Sequence, residues 1–477
     1  QKELEKFVIA SDVDIAGFYP NTSSEVFSES VNFEIFSALT KLDREGRLLP
    51  DLADYWFNPD DLTWDIYLKK GVKFHNGQAM TSKDVIFSLV ELPRILERFY
   101  KSENLVMIES VQAVDPYRIR IKTKRSYPLL MYDLANLAIL SKEYTDKEGL
   151  EADSVGTGPF KYLEREQGKE IQLERFEDYY EKKPLVRKVV YKVIPEEEKR
   201  IDELIRGEVD FITQVSLEGA AKLNQAKRVK IVSTSSSGIT FLGMNVERSS
   251  FQNSLVRKAI AKGIDTKKIV DEVFKGRVRV ATQLSVPESF VFNPEIKTTA
   301  YNPKEARILL SQAGFAGGFE MELLASGNER VKVAQMIKEQ LSAVGIRVKI
   351  DIVPRGEFFS KLGGADSFIL TLLDRTRDVT SFALSIYHTR SEEFGRLNLV
   401  NYSNSRVDEL IEKSMAFLLD PKTKQNYAKE IMRITVEEDL PYLPLYIGEF
   451  LGAAKEGIIF SQRPDGLIVI SDLSLSN

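Results

Sequence analysis

Asp153-Ser154-Val155-Gly156-Thr157-Gly158-Pro159-Phe160-Lys161-Tyr162 is the stretch from which the rest of this chain is best read. Two glycines and a proline crowd into three positions there, so neither a helix nor a central strand passes through. A sharp corner is expected, with Phe160-Lys161-Tyr162-Leu163 leaving it as a strand. The glycines also invite a reading as a phosphate cradle. Pro159 removes one of the amides such a cradle needs, and no Gly-Lys-Ser/Thr follows. A structural corner is the better reading.

The surrounding chain has 477 residues, more than one ordinary core accommodates, so two or three domains are expected. Apolar residues make up 43% and charged residues 29%, as in folded globular chains rather than disordered ones. Lys+Arg 66 against Asp+Glu 71 leaves a net charge of -5, which speaks against a nucleic-acid binder. No run approaches ~18 apolar residues, so no transmembrane helix is expected. With no cysteine, disulfides and thiolate metal sites are excluded. Gln1-Lys2-Glu3-Leu4 is not a signal peptide and leads at once into Phe7-Val8-Ile9-Ala10. This predicts a mature or trimmed form from which an export signal or lipid anchor has been removed.

Strands and helices alternate with short connections, the pattern of an α/β fold. Pro195-Glu196-Glu197-Glu198 opens a helix with acids at its positive end; Ile201, Leu204 and Ile205 share a face, and Gly207 ends it. Asn302-Pro303 starts another, with Ala306, Leu309, Leu310 and Ala313 inward and Gly314 at its end. Val333, Met336, Ile337 and Leu341 form a third apolar stripe stopped by Gly345, and Ile346, Val348, Ile350 and Ile352 then alternate as a half-buried strand. Val407, Leu410, Ile411, Met415 and Leu418 mark a further amphipathic helix. These stripes are core, not cofactor boxes. No tandem repeat or long flexible linker is visible.

Other segments fall in a telling order around the corner. They are Leu49-Pro50-Asp51-Leu52-Ala53-Asp54-Tyr55-Trp56, Thr63-Trp64, and Leu68-Lys69-Lys70-Gly71-Val72-Lys73-Phe74-His75-Asn76-Gly77. Met244-Asn245-Val246, Arg257-Lys258-Ala259-Ile260, Tyr301-Asn302-Pro303-Lys304-Glu305-Ala306 and Leu440-Pro441-Tyr442-Leu443-Pro444-Leu445-Tyr446 follow. Together they resemble family 5 of the extracytoplasmic solute-binding proteins, which serve peptide and nickel ABC importers. The resemblance implies a two-lobed periplasmic-binding-protein-like α/β fold of the large class II type. It places an N-terminal lobe at 1–243, carrying an extra domain at 34–141 and completed by 447–477, and a C-terminal lobe at 244–446. It further implies capture of a small solute between the lobes and delivery to a membrane ABC permease. No catalytic group, cofactor or bound metal is implied. The protein is expected to be a monomer outside the cytoplasm, anchored or soluble.

The segment rated highest for ligand contact is Thr371 to Phe382. Phe368 to Leu373 reads as a buried strand that then releases Asp374, Arg375, Arg377 and Asp378. Ligand sites in open α/β sheets gather at the carboxyl ends of strands. The plain alternative is a solvated loop with internal salt bridges. In peptide-binding relatives a Trp-x-x-Asp followed by an acidic-proline pair stands here, and its aspartate holds the ligand's amino terminus; Asp374 or Asp378 corresponds to it. The departures are Leu372 or a neighbour in place of the tryptophan and Val379 in place of the proline. Trp56 and Trp64 both belong to structural motifs, so phenylalanine or tyrosine must supply any stacking. Phe18, Tyr19 and Phe27 are candidates for pocket walls, with packing nearly as good a reading. Arg396 and Asn398 precede Asn401-Tyr402-Ser403-Asn404, a loop that faces the ligand in relatives.

Only two histidines are present. His75 precedes Asn76-Gly77, a turn signal, and reads as a surface residue. His388 falls near the histidine of nickel-binding relatives and is retained as a ligand candidate, although the arginine expected near Leu134-Ala135-Asn136-Leu137 is absent. Ser385, His388 and Asp378 do not make a hydrolase triad, because no nucleophile-elbow glycines surround Ser385. A zinc protease has no His-Glu-x-x-His to stand on. Mixed charge at Asp374, Arg375, Arg377 and Asp378 suits a zwitterion such as a short peptide. A metal chelate or an oligosaccharide is the alternative ligand. A ligand-sensing domain, or a hydrolase using Asp374 and Asp378 as acid and base, is the alternative class.

Overall fold

The protein is described from a computed structural model covering residues 3–18, 20–21, 25–96, 105–149, 154–290, 292–375, 379–416 and 419–476. The chain forms two compact units, Gln1–Thr234 with Phe450–Asn477, and Ser235–Glu449. It passes from one to the other inside two long strands, Val229–Met244 and Tyr442–Lys455. The sequence placed these crossings at 243/244 and 446/447; both positions also fall within or beside the same strands.

In the first unit the strand Leu4–Ser11 runs parallel to Val186–Val193 on one side and to Phe211–Ile212 on the other. Glu170–Arg175 and then Phe160–Glu166 extend this sheet antiparallel, while Ala454 and Ala453 of the last long strand pair with Phe211 and Ile212. Phe7 and Ile9 face one apolar cluster with Val31, Ile35 and Tyr191; Val8 and Ala10 face another with Ile201 and Leu204. Burial on both faces explains why Phe7-Val8-Ile9-Ala10 is apolar at every position instead of alternating. A separate antiparallel sheet has the order Ala53–Asp60, Thr63–Leu68, Arg118–Thr123, Ile108–Asp115.

In the second unit Phe319–Ala325 is parallel to Ile346–Ile352 and to Ser367–Leu373, and the last pairs antiparallel with Val229–Met244. The helices Ser254–Gly263, Pro303–Gln312 and Asn328–Ser342 supply its core with Val256, Ile260, Ala306, Leu310, Val333, Ile337 and Leu341. Asn302 caps the second of these helices by accepting from the Glu305 amide, as its position before proline suggests. Gly207 adopts φ 76 and ends the helix Glu197–Arg206. One expectation fails on that helix: Ile201 and Leu204 are buried, but Ile205 is 41% exposed. The helix stops one residue after it, so the apolar stripe has no neighbour left to cover that side. Leu418 of the later stripe lies outside the described residues.

The Gly156–Pro159 corner is occupied as expected, and its glycines serve close approach. A Cβ on Gly156 would stand 2.0 Å from the Ile35 carbonyl oxygen, and one on Gly158 would stand 2.6 Å from that of Glu34. The corner therefore lies against the end of the helix Val26–Ile35, and the Gly158 amide donates to the Ile35 oxygen at 2.8 Å.

His75 fastens the corner from the other side, which corrects its reading as a surface turn residue. The ring is half-buried, edge-on to Phe176 at 5.0 Å. Its Nδ1 accepts from the Gly156 amide at 3.3 Å, so Nε2 carries the proton and donates to the Gly158 oxygen at 3.0 Å. Burial holds its pKa down to about 4. A ring that is harder to protonate folded than unfolded gives stability that is intact above its unfolded pKa and lost as pH falls towards 4. The expected loss at this site between pH 7.5 and 5 is about 2 kcal/mol, as the added Nδ1 proton collides with the Gly156 N–H. Urea denaturation of wild type and His75→Gln at both pH values measures it. Equal pH slopes for the two proteins would show that His75 is not responsible.

Candidate functional site

The parallel strands Phe319–Ala325 and Ile346–Ile352 end level with each other, and Ser367–Leu373, which points the same way, runs on past them. Antiparallel pairing of Gly238 with Leu373 sets residues 235–238, where the chain enters this unit, beside the end of Ser367–Leu373. Thr240 and Thr371 share a hydroxyl hydrogen bond of 2.7 Å that fixes the register. A Cβ on Gly238 would stand 2.8 Å from the Leu373 side chain, so glycine is what lets the strand end close down.

Asp374 follows directly, 2% exposed, and its amide donates to the Ser237 oxygen at 3.3 Å. Arg375 beside it is half-buried. Arg377 and Asp378 lie outside the described residues. Ser237 is one strand over from Asp374, buried at 2% exposure, and its hydroxyl has no hydrogen-bond partner among the described residues. The helix Asn328–Ser342, which follows the end of Phe319–Ala325, begins after Gly327, φ 85, with no side-chain cap on its first amides. Arg330 donates to the Ser326 carbonyl at 2.7 Å. The end of the strand Ser367–Leu373 thus gathers a carboxylate, a guanidinium and a hydroxyl, groups suited to a ligand bearing both signs of charge. The serine run before Gly238 carried a usable signal, small polar residues entering an apolar strand, that the sequence reading passed over.

The other candidates are distributed elsewhere. His388 is buried against Phe394, with Nδ1 2.8 Å from the Thr389 oxygen and Nε2 3.2 Å from a Glu412 carboxylate oxygen. Asn398, fully buried, donates to the oxygens of His388 and Tyr402 and accepts from the Tyr402 amide. These two candidates come together, and their polar atoms brace the 388–402 loop. Arg396 is exposed on that loop. In the first unit Phe27 is 7% exposed and meets Tyr191 edge-on at 5.9 Å, so the packing reading holds for it. Phe18 lies edge-on to Tyr162 at 4.8 Å, with the Arg165 guanidinium 5.8 Å from its ring. Tyr19 lies outside the described residues. No group of three or more His, Asp or Glu side chains among the described residues is placed to hold a metal ion.

Comparison with known proteins bears on all of this. Residues 47–393 match the bacterial extracellular solute-binding proteins, family 5, middle region. The oligopeptide-binding protein AppA of Bacillus subtilis is 28% identical over 459 residues, spanning 89% of this chain and 82% of the relative. The glutathione-binding protein GsiB of Escherichia coli is 26% identical over 490 residues, spanning 99% and 94%. Among solved structures, AppA in complex with a nonapeptide superposes with a TM-score of 0.83 at 26% identity over all of both chains. The Helicobacter pylori periplasmic binding protein DppA, in complex with the peptide STSA, gives 0.87 at 23% identity over 100% of this chain and 99% of that one. These relatives are named for binding an oligopeptide, glutathione or, in an ABC-transporter-associated protein, a peptide. No helix among the described residues is long and apolar enough to cross a membrane. With the family matched over most of its length and the fold shared throughout, the chain belongs to family 5 of the bacterial extracellular solute-binding proteins.

Proposed function

We propose that the protein binds a short peptide and hands it to a membrane ABC permease, acting as a monomer outside the cytoplasm and without catalysis. The observation that carries this reading is the oligopeptide-binding relative, 28% identical across 89% of the chain. The glutathione-binding relative agrees, since glutathione is itself a small peptide. The strand end holding Asp374 and Arg375 supports it chemically. A carboxylate suits a peptide's ammonium, while arginine suits its carboxylate. The two units are the lobes in this reading, and the strands Val229–Met244 and Tyr442–Lys455 are their hinge. The separate four-stranded sheet and its surroundings form the extra domain. Ligand binding the closed arrangement in preference to the open one shifts the population towards closure.

A thermal and urea stability screen against short peptides, chelated metals and oligosaccharides tests the reading. A peptide at ~100-fold its dissociation constant is expected to add roughly 2.7 kcal/mol of stability. Asp374→Ala is expected to weaken free-amine peptides about 10-fold or more while sparing N-acetylated ones. Stabilisation by chelates or sugars alone would overturn the peptide assignment, and turnover of a bound peptide would overturn the binding role.

A further inference from the structure

Asn76-Gly77 is the one asparagine–glycine pair in the chain, and both residues are exposed at the tip of a turn. The turn is closed by the Phe74 amide donating to the Gln78 oxygen at 2.8 Å and the Gly77 amide donating to the Phe74 oxygen at 2.8 Å. Its arms continue as a bridge between Lys73 and Ala79. Nothing stands within 4 Å of where a Gly77 Cβ would be, so solvent reaches the peptide that joins the pair. A backbone hydrogen bond in so exposed a place opens readily, which leaves the Gly77 N–H within reach of water.

The Asn76 side chain folds onto the backbone that follows it. Its Oδ1 accepts from the Gln78 amide at 3.1 Å, and its Nδ2 donates to Gln78 Oε1 at 2.8 Å. The first of these bonds draws electron density from Asn76 Cγ and supplies a donor for negative charge building on Oδ1. Hydroxide that takes the Gly77 amide proton frees the nitrogen to attack Cγ. The Cγ–Nδ2 bond then breaks, ammonia leaves with a proton returned by water, and a cyclic imide joins the two residues. Water opens the imide at either carbonyl. One product is aspartate; the other is isoaspartate, whose main chain runs through Cβ and Cγ and is longer by a carbon.

We propose that Asn76 is a site of spontaneous covalent modification, converted through a cyclic imide with Gly77 into aspartate and isoaspartate, and that the conversion loosens the clasp made by His75. Asparagine is among the thermolabile residues, and the neighbour decides how exposed it is to this chemistry. Asn58, Asn293 and Asn302 precede proline, which has no N–H to give up. Asn253 and Asn404 precede serine, but both cap helices, and the next amide is fixed in the helix start. His75 is the residue before the reacting pair. Its amide donates to the Gly156 oxygen at 2.9 Å, and its ring holds the Gly156 amide and the Gly158 oxygen. An added main-chain carbon at position 76 pushes apart the pairing of Phe74 with Gln78, which sets where His75 stands. The inference is independent of which solute the protein binds.

Incubation of the full chain at mildly alkaline pH, with peptide mass spectrometry at intervals, tests it. The tryptic peptide Phe74–Lys83 is expected to account for more than half of the amide lost from the folded protein, its aspartate and isoaspartate forms resolved by chromatography. The melting temperature is expected to fall as isoaspartate accumulates. Asn76→Gln, which would have to close a larger and slower-forming ring, is expected to keep its melting temperature through the same incubation. Freshly made Asn76→Asp, an exposed change of charge alone, is expected to melt with the wild type. A folded protein that retains Asn76 while the urea-unfolded chain loses it would overturn the proposal, as would conversion led by another asparagine. Equal losses of melting temperature in wild type and Asn76→Gln would overturn the effect on the His75 clasp, and a fresh Asn76→Asp protein as unstable as the aged one would overturn the part played by the longer main chain.

Discussion

Gly156→Ala is expected to destabilise the protein by about 3 kcal/mol or more, well beyond an ordinary surface change. The new methyl would sit 2.0 Å from the Ile35 oxygen, 2.7 Å from its carbonyl carbon and 2.9 Å from the Phe36 ring. Two of those atoms are backbone at the end of a packed helix, so no flexible side chain can swing aside. The corner has to lift, which breaks the Gly158 to Ile35 hydrogen bond and both bonds of His75. Gly317→Ala is the control: nothing lies within 4 Å of a Cβ there. Its expected change is small, and a slight gain of about 0.4–1 kcal/mol from a stiffer unfolded chain is the favourable limit. Urea denaturation of both variants decides the matter. Matching midpoints would mean that the corner tolerates displacement and that its contact with the helix is not what requires glycine.

Glu34→Gln is expected to stabilise the protein by about 3 kcal/mol at pH 7.5 and to do nothing at pH 4.5. Glu34 is 2% exposed, and its carboxyl accepts from the Ile470 amide at 2.7 Å. Burial drives its pKa up to about 8; the Ile470 bond and Arg463, which is itself paired with Asp472, offset this only in part. Because the folded value lies above the unfolded one, folding takes up a proton across that window. Stability is intact at low pH and falls as pH rises from about 4.5 towards 8. Glutamine keeps the acceptor for Ile470 and removes the titration. The effect opposes that of His75, so the two offset each other in part in the wild type, and Glu34→Gln and His75→Gln should tilt its pH profile in opposite directions. A Glu34→Gln protein no more stable than wild type at pH 7.5 would rule the assignment out.

What the sequence disclosed depended on how local the cause was. The helix begun by Asn302-Pro303, the stops at Gly207 and Gly345 and the turn at Gly77 each follow from a few adjacent residues, and each is present. The corner at Gly156 was legible as a corner, yet its reason was not, because Ile35 and His75 are remote in sequence. His75 illustrates the limit best. Asn76-Gly77 correctly signalled a turn, and nothing nearby announced that the ring would turn inward. Glu34 likewise read as an ordinary acid until residues 468–470 closed over its helix. In the candidate site the buried strand and Asp374 at its end were read correctly from the apolar run Phe368 to Leu373. Ser237 was missed, since it comes from a strand more than 130 residues earlier. His388 and Asn398 were singled out by likeness to relatives, and only the fold reveals that their polar groups are taken up by their own loop and by Glu412 on the helix Ser405–Ser414.

The division of the chain also orders events during its synthesis. The second unit is one uninterrupted stretch, Ser235–Glu449, and every residue it needs has left the ribosome before the first unit can finish. The first unit must wait for Phe450 onward: Ala453 and Ala454 close its sheet beside Phe211 and Ile212, and Phe460, Ile468 and Ile470 complete its core. The part begun first is therefore the part completed last. Until then its open sheet edge and uncovered apolar face stand ready for unwanted pairing, a hazard that falls to cellular chaperones and not to the finished molecule.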